Sequence, residues 1–124
     1  MFEGKAEEAM NFYISLFKNS SIVNIQKYGA NEPGPEGTVK LATFTLNGIE
    51  FICIDSPAKH AFTFTAAMSL DVNSETENEI NILFEKLSEN GNILMPLDKY
   101  PFSEKFGWVA DKFGVSWQLN FSKK

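Results

Sequence analysis

The chain has 124 residues, long enough for one domain or for two small modules that share a core. It carries 12 Phe, 2 Trp and 3 Tyr in a composition that is 44% hydrophobic, which excludes a disordered chain. A net charge of -5, with no clustering of Lys and Arg, excludes the electrostatic footprint of a nucleic-acid-binding protein. Cys53 is the only cysteine, so neither an internal disulfide nor a cysteine-based zinc motif can form. No apolar run approaches the roughly 20 residues of a membrane span. The opening residues show no basic flank followed by an apolar stretch, so a cytoplasmic protein is expected, with no membrane or nucleic-acid partner.

In chain order, Met1 and Phe2 are too few for a strand of their own. A helix is expected over 4–19. Ala6, Ala9, Met10, Tyr13, Leu16 and Phe17 fall on one apolar stripe, and Glu7 and Glu8 sit in the first turn, where the helix dipole favours negative charge. A strand follows over 21–28. The stretch 29–37, with Pro33, Gly34, Pro35 and Gly37, reads as a loop. Two strands, 38–46 and 49–55, flank Asn47-Gly48, the strongest short hairpin signal. Residues 56–66 form a connector. A strand is expected over 67–73. Ser74-Glu75-Thr76-Glu77 then has the form of a capping box, opening a helix whose stripe is Ile80, Leu83, Phe84 and Leu87 and whose end is Asn90-Gly91. A strand is expected over 92–97, stopped at Pro96, and a loop over 98–105.

The chain closes on a hairpin over 106–121. Gly107, Trp108 and Val109 open one strand, Asp111 to Gly114 turn, and 115–121 return. In the last strand Trp117, Leu119 and Phe121 alternate with Ser116, Gln118 and Asn120. Alternation of period two puts an apolar row on one face, to meet a helix layer, and a polar row on the other, toward water or a cavity. The element order is thus (β)αβββ, connector, βαβββ, an α+β arrangement of two like modules about 70 residues apart. Module one covers about 1–55 and module two 67–124, each expected to hold a four-stranded sheet with a helix on one face.

These motifs, in this order, carry a resemblance. FEGKAEEAMNFYISLF, the Asn-Gly hairpin before EFICIDSP, FTFTAAMSLDV and LMPLDKYPFSEKFGWVADKFGVSWQLN span nearly the whole chain. The chain resembles the PhnB-like, or 3-demethylubiquinone-9 3-methyltransferase-like, group of the vicinal oxygen chelate superfamily. That superfamily also holds glyoxalase I, extradiol dioxygenases and bleomycin-resistance proteins. The resemblance implies paired βαβββ modules with the first strand short or missing, a cupped sheet and a homodimer. A methyltransferase of the α/β type would show a glycine-rich loop after its first strand, and none stands here, so no cofactor is expected.

Metal-using members of the superfamily draw His and Glu ligands from the cupped strand faces. The resemblance places their last-strand acidic ligand on Gln118, a neutral amide. The first strand of module two offers Ala67, Ser69 and Asp71, and the end of module one offers Cys53 and Asp55. That set lacks a facial His/carboxylate group, so no metal is expected.

The candidate ligand-binding residues are Gln118, Ser69, Cys53, Trp108, Phe62, Phe64 and His60. Each has a plainer reading. Gln118 could sit on a solvated sheet face, Cys53 could be a buried small hydrophobe, and Trp108, Phe62 and Phe64 could be interface aromatics. Phe102 and Phe106 are further pocket candidates. His60, the only histidine, is either a solvent-exposed or loop-packing residue of the connector or a ligand or base. Asp55 and Asp111 read as turn residues. The leading functional expectation is a small-molecule-binding protein that holds an apolar or aromatic ligand. A metal-dependent lyase, isomerase or dioxygenase is the second, and a non-catalytic structural or interaction module the third.

Overall fold

The structure, a computed structural model, describes residues 1–122. Among the described residues there are two helices and seven strands, the strands forming two sheets, and the chain divides into two compact units, Met1–Ala61 and a second that begins at Phe62. The division falls inside the expected connector.

In the first unit, α1 (Ala6–Leu16) is followed by β1 (Ser21–Lys27), β2 (Val39–Leu46) and β3 (Ile49–Cys53) in an antiparallel sheet of order β1-β2-β3. The apolar stripe buries Ala6, Ala9, Met10 and Tyr13, and α1 packs against β2, where Val39, Ala42, Phe44 and Leu46 are buried. Phe44 and Phe51, paired across β2 and β3, stack with ring centroids 5.7 Å apart. Asn47 and Gly48 both take positive φ, as the expected two-residue hairpin requires.

Three strands form this sheet, and the first strand of the module is reduced to a bridge, as the expectation of a short or missing first strand has it. Phe2 makes a single parallel bridge to Asp55, its N–H donating to the Ile54 carbonyl at 2.8 Å and its carbonyl accepting from the Ser56 N–H at 2.7 Å.

Asp55 is not the turn residue expected of it. It is buried, and its carboxylate gathers three backbone donors. Oδ1 accepts from Gly4 N at 2.7 Å and Ala6 N at 3.0 Å, and Oδ2 accepts from Val39 N at 2.9 Å. Position Lys5 offers α1 no side-chain cap of its own. A carboxylate some fifty residues downstream therefore satisfies the orphan donors at the helix start, where the dipole also favours it.

The second unit contains β4 (Leu70–Ser74), α2 (Glu77–Ser88), β5 (Asn92–Tyr100), β6 (Ser103–Ala110) and β7 (Ser116–Phe121), a βαβββ order. The sheet runs β4-β7-β6-β5, with β4 parallel to β7 and the other pairs antiparallel. α2 lies on one face. Ile80, Leu83 and Leu87 are buried with Val109, Trp117 and Leu119, so the expected apolar row of β7 does meet a helix layer. Gly107 is needed there: a Cβ at its position would lie 2.6 Å from Cε2 of Phe84, whose ring covers the strand.

The sequence reading is corrected at three places in this unit. The capping box is shifted by two residues, since Thr76 Oγ1 accepts from Glu79 N at 3.1 Å and Glu79 Oε2 accepts from Glu75 N at 3.0 Å. Ser74, the expected cap, is held in β4 opposite Phe121 and stays extended. Second, β4 starts at Leu70 rather than at 67. Third, β5 does not stop at Pro96 but continues to Tyr100, and β6 already begins at Ser103, so the expected loop over 98–105 is a tight hairpin. Pro96 is tolerated because β5 is an edge strand and its pairing with β6 is irregular between Met95 and Asp98.

Candidate functional site

With Gly107, Val109, Trp117 and Leu119 turned toward α2, alternation turns Phe106, Trp108, Ser116, Gln118 and Asn120 to the opposite face. Register aligns that face into rungs. Asp71 pairs with Gln118, Gln118 with Trp108, and Trp108 with Met95. One step along, Asn73 pairs with Asn120, Asn120 with Phe106, and Phe106 with Asp98. Both rungs thus run from polar residues on β4 and β7 to an aromatic residue on β6; the first ends on Met95 and the second on Asp98. Over them lies a cavity of about 410 Å3, lined by these residues except Asp98, and by Phe102 from the β5–β6 turn.

The walls are held from behind. Trp108 Nε1 donates to Ser116 Oγ at 2.8 Å, and Ser116 Oγ lies 2.6 Å from Ser69 Oγ, so two serines fix the tilt of the indole. Asn120 Nδ2 donates to Asn73 Oδ1 at 3.1 Å, and Asn120 Oδ1 accepts from Ser103 Oγ, which locks the second rung. Asp111 secures the β6–β7 turn. Its Oδ1 accepts from Phe113 N at 2.8 Å and Val115 N at 3.1 Å, and its Oδ2 accepts from Trp117 Nε1 at 2.9 Å. Gly114 closes the turn at φ +92°. Phe102, largely exposed, stacks on Tyr100 at 5.6 Å and meets Phe106 edge-on at 4.9 Å. By contrast, the side chains of Asp71 and Gln118 make no hydrogen bond with another described residue. Preorganised walls around side chains with unused hydrogen-bonding capacity are the makings of a ligand site.

Of the residues singled out in the sequence, Gln118 and Trp108 line this cavity, and Ser69 supports it through Ser116 without lining it. Phe64 lies against Gly114, its Cβ 3.6 Å from where a glycine Cβ would stand, and Phe62 is exposed. Cys53 and His60 belong to the first unit. The Cys53 side chain is buried, and burial, reinforced by the charge of Asp55, pushes its thiol up to about 11. That holds it as the unreactive thiol, since the thiolate is the nucleophile. His60 is exposed, with Nε2 2.8 Å from Ser56 Oγ. Sequence reasoning passed over Asn73 and Met95. Asn73 carried a signal, two residues beyond Asp71 and therefore on its face. Met95 carried none, because the irregular β5 pairing that points it inward is not written in local periodicity.

A sheet flanked by a helix on one face and open to a cavity on the other, in a βαβββ unit following an αβββ unit, is the glyoxalase-type fold. The sequence model of the 3-demethylubiquinone-9 3-methyltransferase family matches residues 1–120, and the chain belongs to that family. A PhnB protein from Bacillus cereus of known structure is 66% identical, covers 98% of this chain and 95% of its own, and superposes with a TM-score of 0.97. A glyoxalase-related enzyme from Fulvimarina pelagi, 22% identical over 98% of this chain and 84% of its own, has a TM-score of 0.63 and shares the fold. Protein YjdN of Escherichia coli K12 is 27% identical over 90 residues, which is 73% of this chain; the aligned stretch spans 60% of that curated relative's length.

The superfamily's metal centres need a convergent set of His and carboxylate ligands. The cavity offers one carboxylate, Asp71, among the amides of Asn73, Gln118 and Asn120. No three His, Cys, Asp or Glu side chains are grouped to hold a metal among the described residues. The donor set does not fit the superfamily's metal. No helix among the described residues is long and apolar enough to cross a membrane.

Proposed function

We propose that the chain is a small-molecule-binding protein that holds an aromatic or partly apolar ligand on the Trp108–Gln118 face of its second unit. The observation that carries this reading is the pairing of a pinned indole with an uncommitted amide on the next strand. Trp108 is fixed through Ser116, while the Gln118 side chain has its full hydrogen-bonding capacity to spend on a guest. The fold supports it, since proteins of this architecture bind small molecules between or upon their sheet faces. Binding would be stoichiometric and metal-independent, with Gln118 setting orientation and Trp108, Phe106 and Met95 supplying contact area. We further propose that the chain pairs as a homodimer, which light scattering would report as twice 13.9 kDa.

A ligand that binds only the native state stabilises by mass action, by roughly 2.7 kcal/mol at a hundredfold excess over Kd. A diverse small-molecule library screened by thermal shift in the presence of a chelator should therefore yield aromatic compounds that raise Tm. Gln118→Ala should weaken the best of them by roughly tenfold, the worth of one well-made hydrogen bond. A screen with no stabilising compound at millimolar concentration, or hits indifferent to both Gln118→Ala and Trp108→Leu, would remove the reading.

A further inference from the structure

The chemical class of the ligand can be taken further, resting on the binding function just proposed. We infer that the cavity is selective for a planar aromatic cation. The reasoning begins with sign. The lining contains one carboxylate, Asp71, and no Lys, Arg or His. An anionic guest would meet like charge with no compensating cation. A neutral guest would lie against Asp71 without answering it, and partial desolvation of a carboxylate without a partner is unfavourable. A cation answers Asp71 directly.

The aromatic wall takes the other end. Aromatic rings attract one another in offset-stacked or edge-to-face arrangements, and Trp108 and Phe106 offer a guest ring two such partners. Trp108, tied by its N–H to Ser116, lines the cavity. The register sets the scale. Asp71 and Trp108 occupy the same rung with only Gln118 between them, two inter-strand spacings, or about 10 Å, apart. That is the reach of one aromatic ring carrying a short cationic substituent. Such a ligand would place its charged end at Asp71, its ring toward Trp108 and Phe106, and its donors within reach of the Gln118 carbonyl. Asn120 and Asn73 bond to one another on the second rung.

Three probes of nearly identical shape and different charge separate the alternatives: benzamidinium, benzamide and benzoate. Each is titrated into the full-length 15N-labelled protein at low salt, and binding is read from the Trp108 indole N–H and the Gln118 side-chain amide signals. The expected order is benzamidinium, then benzamide, then benzoate. Benzamidinium should bind about fivefold tighter than benzamide, as one exposed ion pair would supply. Asp71→Asn should cut that preference to about twofold or less, with benzamidinium weakened and benzamide bound at least as tightly as by the wild type. Raising the salt to 0.5 M should narrow it in the wild type, because Asp71 is exposed. Benzamide or benzoate binding as well as benzamidinium, or a preference that survives Asp71→Asn, overturns the charge selectivity and leaves the binding function standing. If none of the three moves the Trp108 and Gln118 signals, the charge selectivity is overturned, and the binding function stands or falls on the library screen.

Discussion

Asp55→Ala is the substitution whose cost the structure sets out most fully. The carboxylate is 2% exposed and accepts from the backbone N–H groups of Gly4, Ala6 and Val39 at 2.7, 3.0 and 2.9 Å. Truncation leaves the Ala6 and Val39 donors buried with no acceptor, and the Gly4 donor partly so. A buried donor stripped of its acceptor costs about 1–3 kcal/mol. Two buried donors and one partly buried give about 3–5 kcal/mol, a large share of the 5–15 kcal/mol that a domain of this size has in total. Asp55→Asn keeps Oδ1 for Gly4 and Ala6 but turns an amide N–H2 toward the Val39 N–H, so it should lose one bond and about 1–2 kcal/mol. Urea denaturation followed by far-UV circular dichroism measures both. Native-state hydrogen exchange should show the Gly4, Ala6 and Val39 amides losing protection in the alanine variant. Asp55→Ala within about 0.5 kcal/mol of wild type, or Asn costing as much as Ala, would refute the three-donor account.

Two further outcomes follow from packing and burial. Gly107→Ala places a methyl 2.6 Å from Cε2 of Phe84 and 3.3 Å from Cδ1 of Leu97. The ring or α2 must shift, so a loss of about 1–3 kcal/mol is expected in thermal or urea melts, and Gly107→Ala combined with Phe84→Leu should cost less than the sum of the two singles. Cys53 titrates at about 11 in the folded chain against 9.0 as its ordinary value. Above pH 9 the unfolded chain therefore holds fewer protons at this site than the folded one, and stability falls as pH rises from 9 to 11. Comparing wild type with Cys53→Ala between pH 8 and 11 isolates this contribution. The wild type should decline more steeply, and parallel declines would contradict the buried-thiol picture.

The hairpin at Asn47-Gly48, the stripe of α1 and the alternation of β7 were legible because each is a local pattern obeyed by a local element. Of the polar row of β7, Gln118 and Asn120 line a cavity while Ser116 is buried behind it, and Gln118 and Trp108 stand on adjacent strands. Other features were decided at a distance. Ser74 has every local credential of a helix cap, yet it is paired to Phe121 and the helix waits until Thr76. Pro96 is a strand breaker in a central strand and is harmless at an edge, so β5 runs on to Tyr100 and carries Met95 and Phe102 to the cavity. No periodicity distinguishes an edge from a centre.

What the chain's sequence determined by itself is its vocabulary: which segments pair, which rows are apolar, and which chemistry the last strand lacks. Gln118 is an amide in any fold, and an amide is a weak metal ligand. Tertiary structure alone decided the partners. Asp55 reaches back across the chain to cap α1, and register sets Asp71, Gln118, Trp108 and Met95 on one rung. The physical reason is that side-chain identity and period are properties of neighbours in the chain, whereas the acceptor for a buried donor and the charge facing an indole are properties of neighbours in space.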